Sequence, residues 1–249
     1  MKVDRFISHR GANTDAVENT IESFQIARNY GIKWFETDLQ MSSDKEVFLF
    51  HDQTPRRLAP CDKNVTEMTI SELKELELTH PILQVKGKIP TLREYLEWAS
   101  ENDAFSNFEF KITNKSEEYQ EELVEKALML LKEFPNLKNK VFLSSFSKVV
   151  MKELKKYKKY PKGKLFYTTN WPKDFGYIDK KVYKYFKECD YIAIIINYGC
   201  LTKKRVEYLK SKFKRVYVYS VYTDYEVQQL ISWGIDAMFI DKKEQIALS

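Results

Sequence analysis

Two of the three histidines each close a short apolar run and are each followed at once by a charged residue, in Ile7-Ser8-His9-Arg10-Gly11 and Phe48-Leu49-Phe50-His51-Asp52. Between them lies Trp34-Phe35-Glu36-Thr37-Asp38-Leu39, where two carboxylates stand two residues apart in an apolar stretch. In a strand that spacing puts both on one face. Phe108-Glu109-Phe110-Lys111-Ile112 repeats the device: Glu109 and Lys111 share one face, and Phe108, Phe110 and Ile112 the other. Imidazoles exchange protons near neutral pH. Three carboxylates, Glu36, Asp38 and Glu109, with no cysteine nearby suit one hard divalent cation, Mg²⁺ or Ca²⁺. With Arg10 and Lys111 as cations, these are the parts for chemistry on a phosphate ester. The bland alternative pairs Glu36 and Glu109 with Arg10 and Lys111 as inward ion pairs, a costly arrangement with nothing to compensate it.

Such residues work together only if separate elements bring them to one place. The apolar runs predict strands at 5–8, 33–39, 105–112, 141–145, 164–168, 191–196, 215–222 and 237–241. Helical patterns fill the intervals, at 20–30, 92–100, 117–134, 147–157, 180–189, 202–213 and 224–233. Asn19 is placed to cap the first helix, with Glu22 three residues on, and Gly31 to end it. Only about six residues separate the run ending at Leu39 from Val47–Phe50, too few for a parallel crossover of a dozen or more. Val47–His51 is therefore expected as a hairpin extension of the second strand, which brings His51 opposite the neighbourhood of Glu36. Eight strand–helix units in 249 residues predict a single (β/α)8 TIM barrel. A doubly wound open sheet is the runner-up. Residues 52–88 hold no strong strand and are expected as a small inserted lid or subdomain, in which His80 reads as an ordinary loop histidine.

Composition excludes several classes. A hydrophobic fraction of 43% supports a packed core, and no apolar run approaches the ~18–20 residues of a membrane span. The chain enters an apolar run near Arg5, which leaves no room for a signal peptide and predicts a cytoplasmic protein. Cys61, Cys189 and Cys200 are odd in number and lack metal-ligand spacing, so they read as free thiols in a reducing compartment. The net charge of +5 is spread along the chain and gives no reason to expect a nucleic-acid partner. The oligomeric state is not readable.

The ordered set His9-Arg10-Gly11, Glu18-Asn19-Thr20, Glu36-x-Asp38, His51-Asp52, Pro90-Thr91-Leu92, Glu109-Phe110-Lys111 and Ser144-Ser145-Phe146 resembles the motifs of the glycerophosphodiester phosphodiesterase family. The resemblance runs over the whole chain and weakens after about residue 150. It implies a barrel with an insertion after His51-Asp52. It also implies metal-dependent hydrolysis of a small glycerophosphodiester to glycerol 3-phosphate and an alcohol, with the glycerol 2-hydroxyl thought to attack first. By matching position, His9 and His51 would be the acid–base pair, and Glu36, Asp38 and Glu109 would hold the metal. Arg10 and Lys111 would hold the phosphate, and Glu18 would orient groups near it. The last strands depart from the pattern. Tyr219-Ser220-Val221-Tyr222 stands where the family often has Trp-Thr-Val-Asn, and Phe239-Ile240-Asp241-Lys242 lacks the usual following proline. Tyr219 is then expected at the substrate pocket, which leaves the headgroup open.

Two other readings remain. The same site could act on a lysophospholipid or a phosphoinositide, for which Leu76, Leu78, Ile82 and Leu83 of the insertion could supply an apolar rim. A barrel that binds a phosphate ligand without catalysis is the other, although no catalytic position of the matched motifs is substituted.

Overall fold

The computed structural model describes residues 3–171, 186 and 191–248. Eight parallel strands close on themselves: β1 (Phe6–His9), β2 (Trp34–Met41), β6 (Phe105–Phe110), β7 (Val141–Ser145), β8 (Lys162–Phe166), β9 (Tyr191–Asn197), β10 (Val216–Val221) and β11 (Ala237–Ile240). Closure comes from β1, which pairs with β2 through Ser8 opposite Phe35 and with β11 through Ile7 opposite Phe239. This is the TIM barrel that the alternation of strand and helix patterns predicts. The short strand β3 (Val47–Leu49) pairs antiparallel with β2, Leu39 opposite Leu49, so the hairpin extension is present outside the ring.

Two apolar layers hold the barrel. Ile7, Trp34, Phe142, Leu165, Ile195, Tyr217 and Phe239 fill its interior, with Trp34 stacked on Phe105 at 5.0 Å between ring centres. The alternate residues of the same strands pack outward. Phe35, Phe108, Phe110, Leu143, Ile194 and Val218 meet helices α1 (Ile21–Asn29), α3 (Leu92–Glu101), α4 (Glu117–Leu131), α5 (Lys148–Glu153), α6 (Lys203–Lys212) and α7 (Asp224–Ser232) in one continuous cluster. Strands buried on both faces read as near-continuous apolar runs, which is why they are visible in the sequence.

Several expectations are corrected. Strand β8 begins at Lys162, two residues early. Lys162-Gly163-Lys164 reads as polar, but Lys162 turns back to the carbonyls of Tyr157 and Tyr160. A Cβ at Gly163 would lie 2.4 Å from Phe142, so only glycine fits between that ring and Ile195. Thr20, and not Asn19, caps α1: its hydroxyl accepts from Ser23, and the Ser23 hydroxyl closes the capping box. Ile112 is 43% exposed and does not join the outer layer. Of the expected helix at 180–189 only Phe186 is among the described residues, and Cys189 lies outside them.

Residues 52–88 contain helix α2 (Ile70–Glu75) and a two-stranded ladder of β4 (Leu78–Thr79) and β5 (Lys86–Gly87). They bury their own cluster of Leu58, Val65, Met68, Leu73 and Leu78 against Val17, Phe48, Phe50 and Ile89. Among the described residues, no helix is long and apolar enough to cross a membrane.

Candidate active site

The charged residues gather at the C-terminal mouth of the barrel, where such enzymes build their sites. The parallel register sets Asp38 beside Glu109 and Glu36 beside Asn107, and β1 lays His9 beside Glu36. One carboxylate oxygen from each of Glu36, Asp38 and Glu109 lies within 4.8 Å of the others. Lys111 sits over the group, 2.8 Å from Glu109 and 3.3 Å from Asp38.

The loop after β1 is shaped to deliver Arg10. Arg10 and Asn19 both have positive φ, 60° and 57°. That left-handed geometry is costly for residues with side chains and clusters at functional sites. It is held because the Arg10 amide donates to Glu36 O, while the Arg10 carbonyl accepts from the Asn19 amide and the Ser23 hydroxyl. Gly11, at φ 81°, packs where a Cβ would fall 2.2 Å from Ser23 Oγ. So held, the guanidinium forms ion pairs with Glu18 at 3.0 Å and Asp38 at 3.1 Å. Burial works against its charge, but Asp38, Glu18, Glu36 and Glu109 outweigh that and keep it protonated.

The three acids differ. Burial works against Asp38, yet Lys111, Arg10, His51 and the Asn19 amide together hold its carboxyl far below the usual carboxylate range. Glu36 accepts no hydrogen bond, and the more distant charges of Arg10 and Lys111 do not offset its burial. Burial, then the charges of Asp38 and Glu109, push its carboxyl well above the ordinary value. Both Glu36 oxygens and Oδ1 of Asp38 are buried and accept no hydrogen bond. Of the ion pairs in the bland alternative, Lys111–Glu109 forms, but Arg10 goes to Asp38 and Glu18, which leaves Glu36 over. Buried oxygens without partners are rare in folded proteins and call for a reason. An all-oxygen set whose members repel one another fits a hard divalent cation.

Both imidazoles are backed by carboxylates. His9 Nδ1 lies 2.8 Å from Asp241, which also accepts from Asn13 at 2.6 Å. His51 Nδ1 lies 2.7 Å from Asp52. With Nδ1–H donated to a carboxylate, each ring leaves Nε2 for reacting groups. Burial opposes the Asp52 charge, but hydrogen bonds from His51 and Arg57 bring its pKa down to about 2.

His9, Arg10, Glu36, His51, Glu109 and Lys111 line one cavity of about 210 Å³. Its opposite wall is Phe146, Leu165, Tyr167, Tyr219 and Phe239. Tyr219 is fixed there by donating its hydroxyl to Phe166 O at 2.7 Å and by its ring edge against Phe146. Glu18 sits behind Arg10, bonded to Arg10 and to Arg57. His80, expected at the surface, is 7% exposed. Its Nδ1 accepts from the Ile82 and Leu83 amides and its Nε2 bonds Asn13 O, so the hairpin tip folds over the ring.

Sequence reasoning missed Asn13, Asn19, Arg57 and the role of Asp241 behind His9. Asp241 carried a signal, a carboxylate at the end of the last strand. Asn19 stands in a matched motif but reads as a helix cap; Asn13 and Arg57 act from loops and carry no signal.

The sequence profile of the Glycerophosphoryl diester phosphodiesterase family matches residues 9–245. The chain belongs to that family. With it goes the class of the enzyme, a phosphoric diester hydrolase. A glycerophosphodiester phosphodiesterase of Caldanaerobacter subterraneus subsp. tengcongensis is 25% identical over 242 residues, 96% of this chain and 95% of that one. A lysophospholipase D of Rattus norvegicus is 27% identical over 60% of this chain and 48% of its own length. Among solved structures, an Oleispira antarctica phosphodiesterase in complex with the product sn-glycerol-3-phosphate superposes with a TM-score of 0.87. It is 24% identical, over 99% of this chain and 96% of that one.

Proposed function

We propose that the chain hydrolyses glycerophosphodiesters to glycerol 3-phosphate and an alcohol, with His9 and His51 as the acid–base pair and Glu36, Asp38 and Glu109 holding one Mg²⁺ or Ca²⁺. The observation that carries this reading is the trio of carboxylates, with both Glu36 oxygens buried and without a hydrogen bond, at a cavity that is also lined by two imidazoles, each with a carboxylate behind Nδ1. A bound cation supplies positive charge to the phosphoryl oxygens as they gain charge. Arg10 and Lys111 serve the same oxygens, and groups fixed in advance stabilise a charge that grows in the transition state more than one already present. One imidazole takes the proton of the attacking hydroxyl through Nε2. The other gives a proton to the leaving alkoxide, so the pair ends each displacement with its protons exchanged. Tyr219 and Phe146 form the wall against which the glycerol limb rests.

Purified protein is expected to release glycerol 3-phosphate from glycerophosphocholine with Mg²⁺ or Ca²⁺, and to stop in EDTA. Turnover that survives exhaustive chelation would remove the metal from the scheme. Thermal unfolding gives a second readout. A cation that binds the folded state at 100 times its Kd adds about 2.7 kcal/mol of stability.

The exposed insertion tip favours a second reading. Ile82, Leu83 and Val85 are 82%, 47% and 41% exposed, and Ile82 and Tyr222 border a cavity beside His9 and Arg10. Leu78, expected with them, is buried instead. Such a rim suits an acyl chain, so the reading extends the substrates to lysophospholipids. Comparing turnover of glycerophosphocholine and lysophosphatidylcholine separates the two; loss of only the acylated activity in Ile82→Ser would assign the rim.

A further inference from the structure

Arg57 stands in the insertion, outside every motif singled out above, yet it makes three side-chain hydrogen bonds that meet behind the reacting groups. Nη1 and Nη2 donate to the two Glu18 oxygens, each at 2.7 Å, and Nε donates to Asp52 Oδ2 at 2.8 Å. Each carboxylate carries one active-site cation or proton carrier on its other side. Glu18 Oε1 also accepts from Arg10 Nη1, and Asp52 Oδ1 faces His51 Nδ1. One planar guanidinium thus ties the phosphate anchor to a proton-carrying ring, and no other described side chain bonds both carboxylates.

We infer that Arg57 is a positioning residue for the reaction, acting through Glu18 on Arg10 and through Asp52 on His51. The inference rests on the phosphodiesterase reading and adds to it a residue supplied by the insertion. Through Glu18 the effect is on binding. Glu18 is close to buried, and Arg57 shares its charge; without Arg57 that charge falls on Arg10 alone and holds the guanidinium back from a phosphate. Through Asp52 the effect is on geometry. The carboxylate sits on a partly buried turn and is fixed from both sides, by His51 and by Arg57. Without the outer bond, the carboxylate and the imidazole it orients gain freedom to turn. Lysine cannot replace the fork. Its ammonium is a point charge, whereas these three bonds need the spread and planarity of a guanidinium.

The test separates the two arms. Arg57→Ala is expected to raise KM and lower kcat, each by about tenfold, the size usual for coupled neighbours. In an Asp52→Asn background the same substitution should leave kcat unchanged while KM still rises. In a Glu18→Gln background the KM effect should vanish while the fall in kcat remains. Arg57→Lys should recover part of KM and little of kcat. Two readouts need no turnover. Glycerol 3-phosphate should bind Arg57→Ala about tenfold more weakly by calorimetry, and the downfield Nδ1–H resonance of His51, identified by its loss in His51→Ala, should broaden or disappear. Additive effects in both backgrounds would overturn the inference, as would an unshifted His51 resonance with unchanged product affinity. An inactive wild type whose Arg57 variant still shows both binding and resonance changes would instead count against the phosphodiesterase reading alone. Circular dichroism of Arg57→Lys guards against simple misfolding.

Discussion

The two halves of the barrel mouth are built from different chemistry. Strands β1, β2 and β6, with the β3 arm, supply His9, Arg10, Glu36, Asp38, His51, Glu109 and Lys111. Strands β7 to β11 face them with Phe146, Leu165, Tyr167, Tyr219 and Phe239, and lend Asp241 as one charge. The charged half holds itself together by ion pairs whose members are mostly already partnered, and Glu36 is the residue left over. The apolar half holds itself by ring contacts and one tyrosine hydrogen bond. Chemistry is thus concentrated in the first 111 residues, and the remainder supplies shape.

If that division is right, substitutions in the charged half should cost rate and those opposite should cost selectivity. His51→Ala, or His9→Ala, is expected to lower kcat by 10³-fold or more with little change in thermal stability, in line with the ~10²–10⁴ of a positioned proton carrier and the loss of the group it orients. Stopped-flow release of the alcohol reads this directly, and kcat within tenfold of wild type in either variant would break the comparison. Asp241→Asn tests whether the carboxylate lent by the far half belongs functionally to the near half. A loss of about 10- to 100-fold in kcat is expected, with KM held, because the ring of His9 loses its orienting carboxylate. Tyr219→Ala should move KM for the glycerol limb by about tenfold and leave kcat near wild type, and Tyr219→Phe should do less, since only the bond to Phe166 O is lost.

Stability should split the halves in the opposite sense. In metal-free protein, Glu36→Gln removes a carboxyl whose ionised form is disfavoured by burial and by Asp38 and Glu109, and should raise the unfolding midpoint while abolishing the stabilisation by Mg²⁺ or Ca²⁺. A midpoint that falls on this substitution would mean Glu36 is already partnered. The smallest effect concerns Asp52. Its folded pKa of about 2 lies below the ordinary 3.8. The stability it contributes is therefore present above pH 4 and is lost as pH falls through about 2. Urea midpoints between pH 5 and 2.5 should drop more steeply in wild type than in Asp52→Asn.

The same division sets how much could be read from the residues alone. Glu36, Asp38, Glu109 and Lys111 were legible because alternating charges inside apolar runs stand out against the period of a strand. His9 and His51 were legible as strand-end histidines. Tyr219 was legible as a departure within a matched pattern. Asn19 reads as a helix cap because its type and place allow it. The structure spends it instead on Asp38 and Thr37, and the neighbouring Thr20 takes the cap. His80 reads as an ordinary loop residue because a lone histidine carries no period. Only the fold of the hairpin tip, which brings two amides to its ring, makes it a buried latch. Arg57 pairs across 39 residues to Glu18, a contact set by the path of an irregular loop. Contacts between regular elements follow from periodicity, and contacts between loops do not.

The insertion leaves and rejoins the barrel at adjacent backbone positions: Leu49 N donates to Pro90 O, and Phe48 bridges Thr91. The two ends of a detour of some forty residues are thus fastened together before the detour begins. Because closing a loop costs only about 0.6 kcal/mol more for each doubling of its length, the cost of closing the detour depends little on how long it is. Such a junction works as a socket: past Arg57 the detour can change length, and so retune the rim of the mouth, while its two ends stay pinned beside the strands that carry the acids.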